Sequence, residues 1–313
     1  MQKKSLYSLR YKTAGLSLKS RQPVNSLLAG RHASRLRGRG LSFEELRQYR
    51  SGDDIRTMDW KVTNRTKKPY VRVYNEERER QVVICIDQSL SLFFGSSYKM
   101  KSVTAAESAA LAAWTVNAGG DCVGALLFND SDQHYLKPRR GEKAVLEFLT
   151  LLKDYNHRLS LDTISTDDSA AGINRALQTL LRQRPQNHLL IVISDMQAIN
   201  EQGIRGLRQL CLHNDVVVVQ VYDKLEEKLP DTRGFVVSDG RLQLVIDAQK
   251  PAIQQAFAQD FLQFNQQLRA QLRRYNIPVL PITTDQDADR QLRRLLGQAA
   301  SGASRTDRGR AGD

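Results

Sequence analysis

A chain of 313 residues, 41% hydrophobic and 26% charged, can bury an ordinary core as one large α/β domain with extensions or as two modest domains, which excludes disorder throughout. No apolar run approaches the roughly 18 residues that cross a bilayer, and the opening MQKKSLYSLRYK lacks the apolar stretch of a secretory signal, so the expected location is the cytoplasm. The net charge of +13 is segregated: residues 1–80 carry 20 Lys+Arg against 8 Asp+Glu, and residues 81–313 carry 27 against 26.

The basic leader, residues 1–35, suits a polyanionic partner such as nucleic acid, an acidic lipid surface or an acidic protein face. No aromatic-rich RNA motif or helix-turn-helix pattern accompanies it, so binding of nucleic acid is the alternative reading rather than the main one. Residues 36–80 then interleave Arg47, Arg56 and Arg65 with Asp53, Asp54 and Asp59. That pattern suits an ion-pair network in a strap packed on the main domain, with Tyr49 and Trp60 as its anchors.

From residue 81 short apolar runs alternate with helical patterns, which implies βαβ units and a mainly parallel, doubly wound sheet, the Rossmann-type arrangement, over 81–297. VVICID (82–87) reads as a buried strand, and an Ala-rich helix from about Lys99 to Ala118 stops at Gly119-Gly120. A strand over 122–128, a short edge strand within 131–139 and an amphipathic helix over 142–153 come next. A polar loop, 156–169, leads to a helix over 170–183, which Pro185 ends. HLLIVIS (188–194) is a second very apolar strand running into Asp195, and VVVVQVY (216–222) is a third; no element is assigned between them. A hairpin around Asp239-Gly240, a helix over 251–275, a strand over 277–282 and a flexible tail, 298–313, complete the chain.

The cysteines, Cys85, Cys122 and Cys211, are odd in number and far apart and read as core thiols, while the five histidines form no close ligand pair. The chemistry concentrates elsewhere. Asp87-Gln88-Ser89-Leu90-Ser91 is a DxSxS sequence at the carboxyl end of the most apolar strand, and three oxygen-bearing side chains converge there. Ligands of a doubly wound sheet bind outside the carboxyl ends of its strands, where strand order reverses. If the reversal sets 189–194 beside 82–87, Asp195 faces the same crevice. Carboxylates and hydroxyls are hard oxygen ligands, suited to magnesium, manganese or calcium rather than to zinc or copper. The competing structural role for these residues is capping and turn formation.

The DxSxS loop with Ser194-Asp195 resembles the metal-ion-dependent adhesion site of von Willebrand factor A domains. The resemblance implies Mg2+ (or Mn2+) held by Asp87, Ser89, Ser91 and Asp195, with a residue of a third loop and often a carboxylate from the partner. The third loop is expected at 163–169, where no Gly-Thr-Asp sequence stands; Ser169 is the best match and Asp167 its rival. Residues 38–77 resemble the hallmark of a bacterial family, domain of unknown function 58, through Gly38-Arg39-Gly40, Phe43, Arg47, Tyr49, Gly52-Asp53-Asp54, Arg56, Asp59-Trp60 and Arg65. That resemblance, over about residues 30–285, implies a von Willebrand factor A-like fold and a partner of the MoxR-type AAA+ ATPase class, working on an unknown client.

The expectation is therefore a non-enzymatic, metal-dependent protein-interaction module. An aspartate ending a first strand also opens phosphotransferases of the haloacid dehalogenase type, but those need a second Asp two positions on, where Ser89 stands.

Overall fold

The computed structural model describes residues 3–13, 16, 41–76, 79–159, 171–230, 235–238, 243–246 and 248–296. Gly38-Arg39-Gly40, the expected third loop with Asp167 and Ser169, the Asp239-Gly240 turn and the tail lie outside the described residues. The chain divides into two units, one of residues 1–24 and 80–313 and the other of residues 25–79.

In the larger unit, β3 (Gln81–Asp87) is central in a six-stranded sheet. On one side it pairs in parallel with β4 (Cys122–Phe128), which pairs antiparallel with the edge strand β5 (Gln133–Arg139). On the other side come β6 (His188–Ser194), β7 (Asp215–Tyr222) and β10 (Val279–Thr283), all parallel. The chain thus winds one way from β3 and then the other, and the expected reversal falls between β3 and β6, as in a doubly wound fold. Parallel strands covered on both faces must be apolar throughout, and β3 is buried from Val82 to Asp87.

Alternate strand residues feed two cores. Val82, Ile84 and Ile86 pack with α3 (Lys101–Ala118) and α4 (Glu142–His157). Val83 and Cys85 pack with α5 (Ala171–Arg182), α6 (Glu201–Cys211) and α8 (Pro251–Arg273). Of the three thiols only Cys85 is fully buried; Cys122 and Cys211 are half-buried, and none of the three is in a disulfide. Gly124 in β4 is required by close approach: a Cβ there would lie 2.7 Å from the Pro138 nitrogen, where the β4–β5 register shifts. The hairpin of β8 (Phe235–Ser238) and β9 (Gln243–Ile246) forms as expected.

The start of the chain is more than a charged leader. Within α1 (Lys3–Ser8) and the turn that follows, Leu6 and Leu9 are buried in the α3 core, and Trp114 Nε1 donates to the Leu6 carbonyl at 3.2 Å. Its charges are used locally as well, Arg10 on Glu142 and Lys12 on Asp289.

The smaller unit contains the antiparallel pair β1 (Leu41–Gln48) and β2 (Tyr70–Glu76), joined through a 3-10 turn (Ile55–Thr57) and α2 (Trp60–Thr66). Its acidic residues act as turn and cap acceptors. Asp53 takes both guanidinium nitrogens of Arg47 at 2.7 and 2.8 Å and the Arg50 N–H at 2.8 Å. Asp54 accepts from the Arg56 N–H, so Arg56 enters through its backbone. Asp59 caps α2 through the N–H groups of Lys61 and Val62 and pairs with Arg72 at 2.8 Å. The basic partner of Asp59 is therefore Arg72. Trp60 is 64% exposed and is no buried anchor. A cap acceptor must turn back over the first helical turn, and it is Asp59, not its neighbour at the first helical position, that is buried.

Candidate cation and partner site

The site is built at the carboxyl ends of β3 and β6. Asp87, the last residue of β3, is held from both sides: Oδ1 accepts the Ser89 N–H at 2.9 Å and Ser89 Oγ at 2.5 Å, and Oδ2 accepts Ser194 Oγ at 2.7 Å. Ser91 Oγ lies 3.2 Å from Ser89 Oγ. Burial, and then the nearby charge of Asp195, push the Asp87 carboxyl up to about 7 against the pull of the Ser194 and Ser89 hydrogen bonds.

Two neighbours fix this loop. Asp130, just beyond β4, accepts the Leu90 N–H at 2.8 Å. Gln88, fully buried, donates to the Asp87 and Ser102 carbonyls and accepts from Asn156, tying the strand end to α3 and α4. On the β6 side the turn is sharp. Met196 adopts a left-handed φ of 64°, rare for a residue with a side chain, and its N–H donates to Ser194 Oγ at 3.0 Å. The same turn directs the Gln197 N–H to Asp195 Oδ1 at 3.2 Å.

The other oxygen of Asp195 meets an internal cation. Lys101, the first residue of α3, is 1% exposed, and its Nζ lies 3.1 Å from Asp195 Oδ2 while also pairing with Glu226 Oε1. Glu226 belongs to the short helix α7 (Lys224–Glu227), whose N-cap Asp223 forms a reciprocal capping box with it. Burial works against the Lys101 charge, but Asp195 and Glu226 outweigh it and hold the ammonium's pKa above its ordinary value. Burial, and to a lesser degree the charge of Asp195, push the Glu226 carboxyl up in spite of Lys101. Asp223 anchors the far end of the crevice: burial opposes its charge, yet donations from Ser96, Thr284 and the Leu225 N–H leave its pKa below the usual carboxylate range.

The structure thus brings Asp87, Ser89 and Ser91 together with Asp195 beside them. Every donor is a hard oxygen, which fits magnesium or manganese. Among the described residues no three His, Cys, Asp or Glu side chains form a group able to hold a metal, so such a cradle depends on the serine hydroxyls. Sequence reasoning missed Lys101, Glu226 and Asp130. A lysine opening a buried Ala-rich helix, where the helix dipole disfavours a cation, was the available signal for Lys101. Asp130 had a positional one, since it follows β4 much as Asp87 ends β3.

Beside the cradle, the segment between the DxSxS loop and α3 exposes Phe94 (38%), Tyr98 (59%) and Met100 (40%). The Lys101 N–H donates to the Phe94 carbonyl at 2.7 Å and closes this segment into a loop.

Residues 45–267 match the family described as "Protein of unknown function DUF58". The chain belongs to that family, and its mainly parallel sheet has the doubly wound order expected of a von Willebrand factor A-like member. It is 29% identical over 295 residues to the uncharacterized protein Rv1480 of Mycobacterium tuberculosis, spanning 92% of this chain and 89% of that one. The uncharacterized protein Mb1516 of Mycobacterium bovis matches to the same extent. Among solved structures, the conserved hypothetical protein BatB of Bacteroides thetaiotaomicron is 15% identical at a TM-score of 0.40, covering 71% of this chain and 99% of that one. An aerotolerance-related membrane protein of Bacteroides fragilis is 15% identical at 0.42, covering 70% and 99%. Among the described residues no helix is long and apolar enough to cross a membrane.

Proposed function

We propose that this chain is a non-enzymatic protein-interaction module that binds its partner at the carboxyl edge of the sheet, with a magnesium or manganese ion on Asp87, Ser89, Ser91 and Asp195. The observation that carries the reading is the convergence of the DxSxS loop and the β6 terminus on one crevice, joined by the Ser194–Asp87 hydrogen bond. When bound, the cation would offer an open position to a carboxylate of the partner. Ser89 and Ser194 orient Asp87, while Asp130 and Gln88 hold the loop that presents the hydroxyls. The exposed Phe94, Tyr98 and Met100 give the polar site an apolar flank, the combination of aromatic and methionine contacts typical of interface cores.

The partner proposed is a hexameric AAA+ ATPase of the MoxR type, as family membership suggests, acting with this chain on a client protein from its own cell. Capture of the cognate ATPase by the wild type and by Asp87→Asn, with and without EDTA, tests the reading. The expected result is capture by the wild type that is lost with EDTA and in the variant. Capture that survives both treatments would move the interface away from this crevice.

A further inference from the structure

The cation motif and the buried lysine place two positive charges in competition for the same carboxylate. We propose that Lys101 is a tethered internal cation that occupies Asp195 when no divalent ion is bound, and that Glu226 receives its ammonium when a divalent ion takes Asp195. The proposal rests on the cation reading of Asp87, Ser89, Ser91 and Asp195 given above.

Three observations lead to it. First, the Lys101 side chain is 2% exposed, so its charge has no route to bulk water and must be met by protein oxygens. The oxygens it finds are Asp195 Oδ2 at 3.1 Å and Glu226 Oε1. Second, the position is otherwise poor for a cation: Lys101 opens an 18-residue helix, whose N-terminal end carries partial positive charge. An ammonium persists there only because carboxylates face it. Third, the charges in the crevice do not balance. Asp87, Asp195 and Glu226 are three carboxylates against one ammonium, which touches only Asp195 and Glu226. The crevice can therefore accept further positive charge, but Asp195 must first release part of its hold on Lys101.

Glu226 is suited to receive the ammonium. Its Oε2 accepts the Asp223 N–H at 3.3 Å within the capping box, so the carboxylate stays in place when Lys101 shifts fully onto it. Nothing is consumed in the exchange: one ammonium moves from two carboxylates to one, and a hydrated cation gives up water for Asp195. Cation occupancy is thereby coupled to the start of α3 and to the exposed loop 94–100, which the Lys101 N–H closes through the Phe94 carbonyl. A partner that reads this loop would distinguish the two states.

The test is a calorimetric titration of Mn2+ into wild type, Lys101→Met and Lys101→Met/Asp87→Asn, with thermal melts of each at zero and saturating Mn2+. Lys101→Met removes the charge and keeps the length of the stem; Lys101→Gln replaces it if the Met variant does not fold. The expected result is Mn2+ binding at least about ten-fold tighter in the Lys101 variant than in wild type, equivalent to about 1.4 kcal/mol. Its melting temperature should rise more with Mn2+ than that of wild type, because a ligand stabilises the state that binds it. The double variant should lose this binding. Equal or weaker binding in the Lys101 variant than in a wild type that does bind Mn2+ would overturn the role of Lys101 and leave the cation reading standing. Absence of binding in both proteins would overturn the cation reading and this proposal together. Binding that persists in the double variant would place the ion away from Asp87 and overturn the proposal as well.

Discussion

Two regions of this molecule use the same residue types in opposite ways. In the smaller unit, charges pair near water: Arg47 and Asp53 have side chains 35% and 20% exposed, and Arg72 is 47% exposed beside Asp59. In the crevice of the larger unit, Lys101 and Asp195 are each 2% exposed. A pair near water is screened and contributes little, so Asp53, Asp54 and Asp59 serve mainly to fix turns and start a helix. A pair away from water cannot be broken cheaply, since the remaining partner is left as a buried charge. Arginine and aspartate alternation thus signals local architecture in one place, and a lone lysine at a helix start signals a buried ion pair with distant partners in the other.

The contrast is sharpened most by Lys101→Met in the absence of divalent ions. Removing one partner of a buried ion pair typically costs about 3–5 kcal/mol, and chemical denaturation should find Lys101→Met destabilised to that extent while Arg47→Ala leaves the larger unit's transition unchanged. The charge-retaining sign follows from the raised pKa of Lys101: its stabilising contribution is complete below the ordinary lysine value of 10.5 and is lost as pH rises through the higher folded value.

A smaller effect is expected at Asp223, which is fully buried and accepts hydrogen bonds from Ser96, Thr284 and Leu225. Asp223→Asn should cost about 1–3 kcal/mol near neutral pH, the range for leaving buried donors poorly paired. The carboxyl is depressed in the folded state, so its contribution is present above the ordinary value of 3.8 and disappears as pH falls through the lower folded value. Melts of wild type and Asp223→Asn should therefore differ at neutral pH and converge in acid.

In the smaller unit, Asp59→Ala removes the cap of α2 and its contact with Arg72. Hydrogen exchange should accelerate at the α2 amides with no change in the amides of β3 and β6. The smallest effect is expected from Trp60→Ala, since a side chain 64% exposed gives up little buried surface. A change within about 0.5 kcal/mol is predicted, and a larger loss would show that Trp60 is an anchor after all.

What could be read from sequence follows the same division between local and long-range causes. β3 and β6 were legible because runs of five consecutive apolar residues, 82–86 and 189–193, leave few alternatives, and the Asp87 loop was legible because its three donors fall within five residues of the chain. The helix α6 was not assigned: Gly203 and Gly206 weaken its propensity, and their place is understood only from packing, with Gly206 set against Leu177 and Leu181 of α5. Lys101 was not identified because its partners stand 94 and 125 positions away. Trp60 was misjudged because burial of an aromatic was assumed where capping by Asp59 decides the geometry.

Whether the crevice holds a cation is tested most directly by anomalous diffraction from crystals of the protein soaked in Mn2+, with Asp87→Asn crystals beside them. A Mn2+ peak within coordination distance of Asp87, Ser89 and Ser91 in the wild type, absent from the variant, is the predicted result. A peak bound by other residues, or no peak in either crystal, would contradict it.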